Sequence, residues 1–206
     1  MDADDLCHPE RFATQLAFLK KQPDVDVVGT SSYILDKYRQ PLQKLIVSET
    51  HQEIFKDKFR FVSLVHASIM ARSQWFRRFP YDTSCIRCED YELSLRSCNH
   101  SVFANVPRPL YFIDVFFSFS LTKYVKSKLT GGKLIKAYYV PKLGKFKYIA
   151  YAARRYRQIA EYAVYAMLGL SHLLVQRRYQ PLAPQESVEA NKALDTIKKT
   201  RVPIRN

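Results

Sequence analysis

The chain has 206 residues, 47% of them hydrophobic, which is enough apolar material for a packed core and excludes a disordered protein. Four cysteines and the absence of a secretory leader predict a reducing, cytosolic setting without disulfide bonds. Residues 1–115 carry 15 basic and 15 acidic side chains, whereas residues 116–206 carry 18 basic and 4 acidic ones. The whole net charge of +14 therefore comes from the C-terminal part of the chain.

The chain begins with three carboxylates within four positions, at Asp2, Asp4 and Asp5. Carboxylates this close repel one another unless a cation or several hydrogen-bond donors lie among them, so one interpretation is a divalent-metal site with oxygen ligands. The other interpretation is the acidic start of a helix, since carboxylates favour a first helical turn and Pro9 suits the first helical position. The residues alone leave both interpretations open.

Residues 9–59 predict a helix followed by a hairpin. Phe12, Leu16 and Leu19 recur at helical spacing and predict an amphipathic helix over residues 9–21. A buried strand is predicted next, and it continues extended through a polar turn to a returning partner. These strands cover residues 25–35 and 43–47, and a weaker helix covers residues 49–59.

The next segment contains one histidine and one acidic pair of interest. Residues 65–71 predict a strand interrupted by His66, and a histidine in such a run is more often part of a core than of a site. Glu89 and Asp90 open a predicted helix, where carboxylates are also stabilised by the helix dipole. Two more strands are predicted, over residues 101–106 and 110–115. Helices alternating with short strands predict an α/β layered fold.

Two groups of motifs stand out in residues 1–115. The first comprises Met1-Asp2-Ala3-Asp4-Asp5, Pro9-Glu10-Arg11, Gln15 and DVDVVGT at positions 24–30. The second comprises HASIM at 66–70, Arg72, Tyr81-Asp82, CEDYELSLR at 88–96 and NVPRPL at 105–110. In this order they resemble the DxD segment and the acceptor-side half of family 2 glycosyltransferases, the large inverting group with the GT-A fold.

The resemblance implies a donor site at the start of the chain. A nucleotide-sugar donor leaves as a diphosphate, and Mg²⁺ or Mn²⁺ neutralises the charge that develops on it. Asp4 would coordinate the metal, and Asp2 would help to hold the metal or the nucleotide. Asp5 and Arg72 would contact the nucleotide sugar.

The resemblance also implies an acceptor site at the second group of motifs. Asp90 would be the general base that removes a proton from the acceptor hydroxyl, across the sugar from the diphosphate, so that the anomeric configuration inverts. Glu89 and His66 would bind or orient the acceptor.

The order of the motifs suggests a partial domain. In family 2 glycosyltransferases the DxD strand follows the strands that bind the nucleotide base and ribose, whereas here it opens the chain. We therefore expect a partial GT-A sheet, truncated at the DxD motif, with flanking helices and an open edge that lowers solubility. Asp114 stands where many family members have an arginine.

Residues 116–180 are basic, rich in tyrosine and mainly helical by their periodicity. The uncharged residues 162–175 are too few for a membrane span of about 20 residues, and they suit a helix lying at an anionic membrane surface. The alternative is a helical extension packed on the catalytic domain. No nucleic-acid-binding module accompanies the basic residues, so no nucleic-acid partner is expected. Residues 181–206 are polar and predict a mobile tail.

These patterns predict a glycosyltransferase, or a fragment of one, that transfers a sugar from a nucleotide-sugar donor to a carbohydrate or glycolipid hydroxyl. Cell-surface polysaccharide or glycolipid synthesis is the expected setting, with the protein cytoplasmic and peripheral at the inner face of the cell membrane. The alternative is a non-catalytic basic module that binds a membrane surface or a partner chain. Cys85 and Cys88 have zinc-ligand spacing, but a second close pair is missing and free thiols are expected.

Overall fold

A computed structural model describes residues 5–59, 61–114, 121–170, 173, 177 and 179–200. Its strands are β1 (Leu6–Cys7), β2 (Val27–Leu35), β3 (Pro41–Leu45), β4 (Met70–Ala71), β5 (Phe103–Asp114) and β6 (Gln180–Pro181). Its helices are α1 (Arg11–Lys21), α2 (His51–Phe55), α3 (Ser73–Arg78), α4 (Glu89–Ser97), α5 (Leu121–Leu143), α6 (Lys145–Met167) and α7 (Pro184–Lys199).

The strands form one open mixed sheet in the order β1-β5-β2-β3-β6, with β4 paired to β2 beside this path. Strands β2 and β5 run parallel at its centre, and the other pairs are antiparallel. All nine residues of β2 are buried, as expected for a strand covered on both faces. The predicted α/β class and the predicted β2–β3 hairpin are confirmed.

Strand β5 is continuous where two strands had been predicted. The prediction broke the chain at Pro107 and Pro109, because proline cannot donate a ladder hydrogen bond. In the structure the register with β2 shifts on either side of Ser31, opposite these prolines. The irregularity accommodates the missing N–H groups, and the strand continues to Asp114.

Helix α1 forms as predicted, but its buried face differs from the predicted one. Phe12 and Leu16 are exposed, whereas Arg11, Gln15 and Leu19 are buried. The two polar side chains face inward because they bind backbone atoms of a neighbouring turn: Arg11 Nη1 donates to the Ala67 carbonyl at 3.5 Å, and Gln15 makes similar bonds. The expected apolar face of this helix is therefore wrong for Phe12 and Leu16 and confirmed for Leu19.

Residues 65–71 are mostly not a strand. His66–Ser68 form a single 3₁₀ turn, and only Met70–Ala71 pair with β2. The Ser68 hydroxyl accepts a hydrogen bond from Thr30 N at 3.0 Å and donates to the Val65 carbonyl at 2.8 Å. This side chain supplies the backbone partners that a strand ladder would otherwise provide.

The main apolar cluster lies under α2, α3 and α4. It contains Ile54, Trp75, Leu93 and Phe103, and the Trp75 indole donates to the Ser101 hydroxyl at 2.9 Å. Helix α2 starts with a capping box between Thr50 and Glu53, within the weaker helix predicted there.

Helices α5 and α6 form an antiparallel hairpin joined at Gly144, whose φ of 76° suits glycine. The rings of Tyr124 and Tyr162 stack with centroids 3.8 Å apart. The Cys88 thiol, just before α4, donates to the Ser127 carbonyl at 3.2 Å, so α5 packs on the first part of the chain. None of the described helices combines the length and the apolar character needed to cross a bilayer.

Helix α7 forms in the segment for which a mobile polar tail was predicted, so that expectation is wrong for Pro184–Lys199. Ala190, Ala193 and Leu194 are buried, and they recur at helical spacing. They pack on Tyr33, Leu35 and Phe112 of the sheet.

Candidate functional site

Helix α4 presents Glu89 and Asp90 at its first turn, where the helix dipole favours carboxylates. Buried Leu93 holds the helix in the core, so the acidic pair has a fixed position. The Asp90 side chain is exposed, and its Oδ1 accepts a hydrogen bond from the Tyr91 backbone N at 2.7 Å. Glu89 is half-buried, and its Oε1 accepts from the Arg87 backbone N at 3.0 Å.

Tyr81 interacts with two residues of the predicted acceptor site, His66 and the predicted base Asp90. Its hydroxyl lies 2.8 Å from His66 Nε2, and the two rings meet edge to face. Burial raises the pKa of Tyr81, and the negative charge of Asp90 raises it further by a smaller amount. The Tyr81 hydroxyl is therefore neutral at pH 7. The structure therefore brings His66, Tyr81 and Asp90 to one surface.

Buried polar side chains of α1 hold the turn that carries His66. Gln15 Nε2 donates to the Val28 carbonyl of β2 at 2.9 Å and to the Ser68 carbonyl at 2.8 Å. Arg11 adds its bond to Ala67 and lies 5.2 Å from the Tyr111 ring centroid. These bonds join helix α1, strand β2 and the 3₁₀ turn that contains His66.

An ion pair fixes the segment that carries Tyr81. Arg96 binds buried Glu92 through two bonds, Nε to Oε1 at 2.7 Å and Nη2 to Oε2 at 3.0 Å. The same Nη2 donates to the Pro80 carbonyl at 2.6 Å. Helix α4 therefore positions Tyr81 as well as Asp90.

The predicted donor residues lie partly outside the described chain. Asp2 and Asp4 are outside the described residues, so the structure says nothing of them. Asp5 lies at the end of β5, where its Oδ1 accepts a hydrogen bond from the Asp114 backbone N at 3.3 Å. Arg72 lies elsewhere, because its guanidinium donates to the Leu19 and Pro23 carbonyls at the end of α1.

Among the described residues, Asp5 and Asp114 are the candidate metal ligands next to the predicted donor motif. Asp114 is buried, and its Oδ1 has no hydrogen-bond partner among the described residues, which fits an oxygen ligand for a hard cation. Within those residues, no three His, Cys, Asp or Glu side chains come together as a metal-binding group. Asp114 Oδ2 lies 3.8 Å from Arg39 Nε, so this carboxylate also has a cationic neighbour within the protein.

The cysteines of the predicted zinc spacing point to different partners. Cys85 Sγ lies 3.6 Å from Asp82 Oδ2, whereas the Cys88 thiol contacts Ser127. Burial raises the pKa of both thiols, which keeps them protonated at neutral pH. Neither cysteine forms a disulfide bond.

Sequence reasoning missed two residues of this site. Tyr81 belonged to the second group of motifs but had no assigned role, because nothing in its neighbourhood along the chain indicates a bond to His66. Gln15 belonged to the resemblance but had no assigned role. A glutamine spaced four residues from Leu19 in an amphipathic helix is the signal that could have indicated a buried polar contact.

No protein-family profile matches the chain. It is 29% identical over 97 residues to a protein of Methanocaldococcus jannaschii named as an uncharacterised glycosyltransferase. The matched residues make up 47% of this chain and 33% of that protein, so the chain covers about a third of the relative's length.

Proposed function

We propose that the chain carries the acceptor-side part of an inverting glycosyltransferase of the family 2, GT-A type. The observation that carries the proposal is the exposed Asp90 carboxylate at the start of α4, whose negative charge acts on Tyr81 of the hydrogen-bonded His66–Tyr81 pair. The similarity to a protein named as a glycosyltransferase supports the general class of reaction. The motif resemblance supports the finer assignment.

In this proposal Asp90 takes the proton of an acceptor hydroxyl. The freed oxygen attacks the anomeric carbon, and the bond to the diphosphate breaks on the opposite face, so the configuration inverts. The Tyr81 hydroxyl and the His66 ring offer hydrogen bonds to neighbouring acceptor hydroxyls. Glu89, held by the Arg87 backbone, keeps the helix start in place.

The donor side is proposed from the resemblance. Asp4 and Asp2 would hold Mg²⁺ or Mn²⁺, which when bound neutralises charge on the leaving diphosphate. Asp5 is the proposed contact to the nucleotide sugar, whereas Arg72, bound at the end of α1, lies away from Asp5 and is not assigned to the donor. Buried Asp114, beside Asp5, is suited to the same cation by its unpaired oxygen.

The test is transfer by the full 206-residue chain. Release of nucleoside diphosphate is measured for a panel of UDP-, GDP- and dTDP-sugars with Mn²⁺, with and without a bacterial lipid extract as acceptor. Asp90→Asn should lower turnover by about 100- to 10,000-fold, the usual contribution of a general base, while donor affinity by calorimetry is unchanged. Tyr81→Phe should raise the acceptor KM more than it lowers kcat.

Asp24→Asn is the matched control, because Asp24 is an exposed aspartate outside this surface. It should retain wild-type turnover. Full turnover by the Asp90→Asn variant would contradict the assigned base. Binding and release of every donor at background level by the wild type would contradict sugar transfer by this chain on its own.

That last outcome would favour the second candidate, a non-catalytic basic module. The observation behind it is the α5–α6 hairpin, where residues 121–167 carry eleven Lys and Arg side chains and one Glu. A module of this kind would bind an anionic surface without sugar transfer.

A further inference from the structure

Helix α6 exposes one continuous apolar face. Phe146, Ile149, Tyr156, Val164 and Met167 fall on one side of the helix, and their exposed fractions are 89%, 60%, 64%, 48% and 78%. Exposed alanines at positions 153 and 160 fill the gaps between them. Single exposed apolar residues are ordinary, but a contiguous stripe along a helix of 23 residues indicates a binding surface.

Basic side chains border this stripe on both sides. Lys145 lies along one border and Arg157 along the other, Arg154 and Lys147 lie further round on that second side, and all four are exposed. Glu161 is the one acidic residue of α6, and it lies 3.4 Å from Arg177 Nη1, so its charge is balanced. Helix α5 contains no acidic residue. The surface around the stripe is therefore strongly positive.

A cavity of about 320 Å³ between α5 and α6 adds to this positive surface. Its lining combines cations with tyrosine rings, a combination suited to a phosphate group attached to an apolar chain. The polar and aromatic members are Lys128, Lys133, Lys136, Arg155, Tyr148, Tyr151 and Tyr156. Because Tyr156 also belongs to the exposed stripe, the cavity and the stripe are adjacent.

We propose that the exposed face of α6 docks on an anionic phospholipid bilayer, with the helix lying in the plane of the interface. Apolar side chains enter the acyl boundary, and the bordering lysines and arginines meet lipid phosphates. The apolar surface begins at Phe146, so it differs from the uncharged segment that the sequence singled out. A second copy of the chain is a poorer occupant, because its matching surface carries the same charge.

The occupant is tested by flotation of the full chain with vesicles at 0.1 M NaCl. The protein should float with phosphatidylcholine–phosphatidylglycerol vesicles in a 3:1 ratio and stay in solution with phosphatidylcholine alone. Replacing two stripe residues together, Ile149→Ser and Met167→Ser, should weaken binding by about tenfold or more. Replacing Lys145→Gln and Lys147→Gln should weaken it by about fivefold for each charge removed.

Matched controls come from exposed positions elsewhere. Val188→Ser removes an apolar side chain that is 69% exposed on α7, and Lys20→Gln with Lys21→Gln removes two charges from α1. Both controls should bind as the wild type does. Thermal melting by circular dichroism checks that each variant is folded, which exposed substitutions should preserve.

Three results would overturn the proposal. The first is wild-type protein that stays in solution with the anionic vesicles, and the second is a stripe variant that floats as well as the wild type. The third is a dimer, detected by light scattering, that Ile149→Ser with Met167→Ser abolishes, because the face would then be a contact between copies. None of these depends on sugar transfer, so the proposed enzymatic function is tested separately.

Discussion

Replacing Gln15 by methionine should destabilise the protein while keeping the volume of the side chain. Gln15 is fully buried, and its Nε2 donates to the carbonyls of Val28 and Ser68. Each lost hydrogen bond costs about 1 kcal/mol net, and each carbonyl left unsatisfied adds about 1 kcal/mol or more. Gln15 Oε1 has no partner among the described residues, so its removal offsets about 1 kcal/mol.

The expected net loss is about 2–3 kcal/mol in the free energy of unfolding, or about 5–10 °C in Tm for a chain of this size. Urea unfolding followed by tryptophan fluorescence measures it, since Trp75 is the only tryptophan and lies in the core. Gln52→Met, at an exposed position on α2, is the control and should stay near the wild type. A Gln15→Met variant within about 0.5 kcal/mol of the wild type would refute the role assigned to these two bonds.

Three further changes test other contacts. Arg96→Met should destabilise the protein by about 2 kcal/mol, because it leaves the buried Glu92 carboxylate without its ion-pair partner. The loss is smaller than that for a fully buried pair because the Arg96 side chain is 35% exposed. Gly29→Ala should cost about 2–3 kcal/mol in urea unfolding, since its Cβ would overlap Oδ1 of Asn105, whose Nδ2 donates to the Ser48 and Ser63 carbonyls and so holds the amide group in place. His8→Gln should reduce the acid sensitivity of the fold, because burial lowers the pKa of His8 from its usual value of about 6.5. The unfolded chain therefore binds the proton at a higher pH than the folded chain, and the stability of the wild type falls as the pH drops below about 6.5. Thermal melting between pH 7 and pH 5 measures this loss.

Each of these has a control in the same chain. Arg77→Met removes an exposed arginine, and Gly132→Ala adds a Cβ that meets only the flexible Arg155 side chain, so both should be close to neutral. His100→Gln, at an exposed position, should leave the pH profile unchanged. A His8→Gln profile that coincides with the wild type would contradict the linkage, and equal melting of Gly29→Ala and Gly132→Ala would contradict the steric argument.

Local signals in the sequence were sufficient for several elements. The helix over α1, the β2–β3 hairpin and the start of α4 at Glu89 all follow from periodicity, turn residues and charge near helix ends. These features depend on neighbours a few positions away. The α/β class could be predicted from their alternation.

Long-range contacts decided the rest. Arg11 and Gln15 turn inward because their partners, Ala67 and Ser68, lie 56 and 53 positions further along the chain. The same holds for the site, where Tyr81 meets His66 across 15 positions with no repeating pattern between them. A local pattern carries no information about such a partner, so the buried face of α1 and the role of Tyr81 required the fold.

Helix α7 covers a part of the sheet whose strands lie far earlier in the chain. Lys44 pairs with Glu186 across 142 positions, and buried Ala190 and Leu194 cover Tyr33 near the start of the sheet. During synthesis strands β1 to β5 emerge long before β6 and this helix, so the apolar face that the helix covers stays open until residues 180–199 have followed. Chaperone dependence and the solubility of variants that lack α7 should therefore be governed by this helix, because its contacts with the sheet span a large distance along the chain.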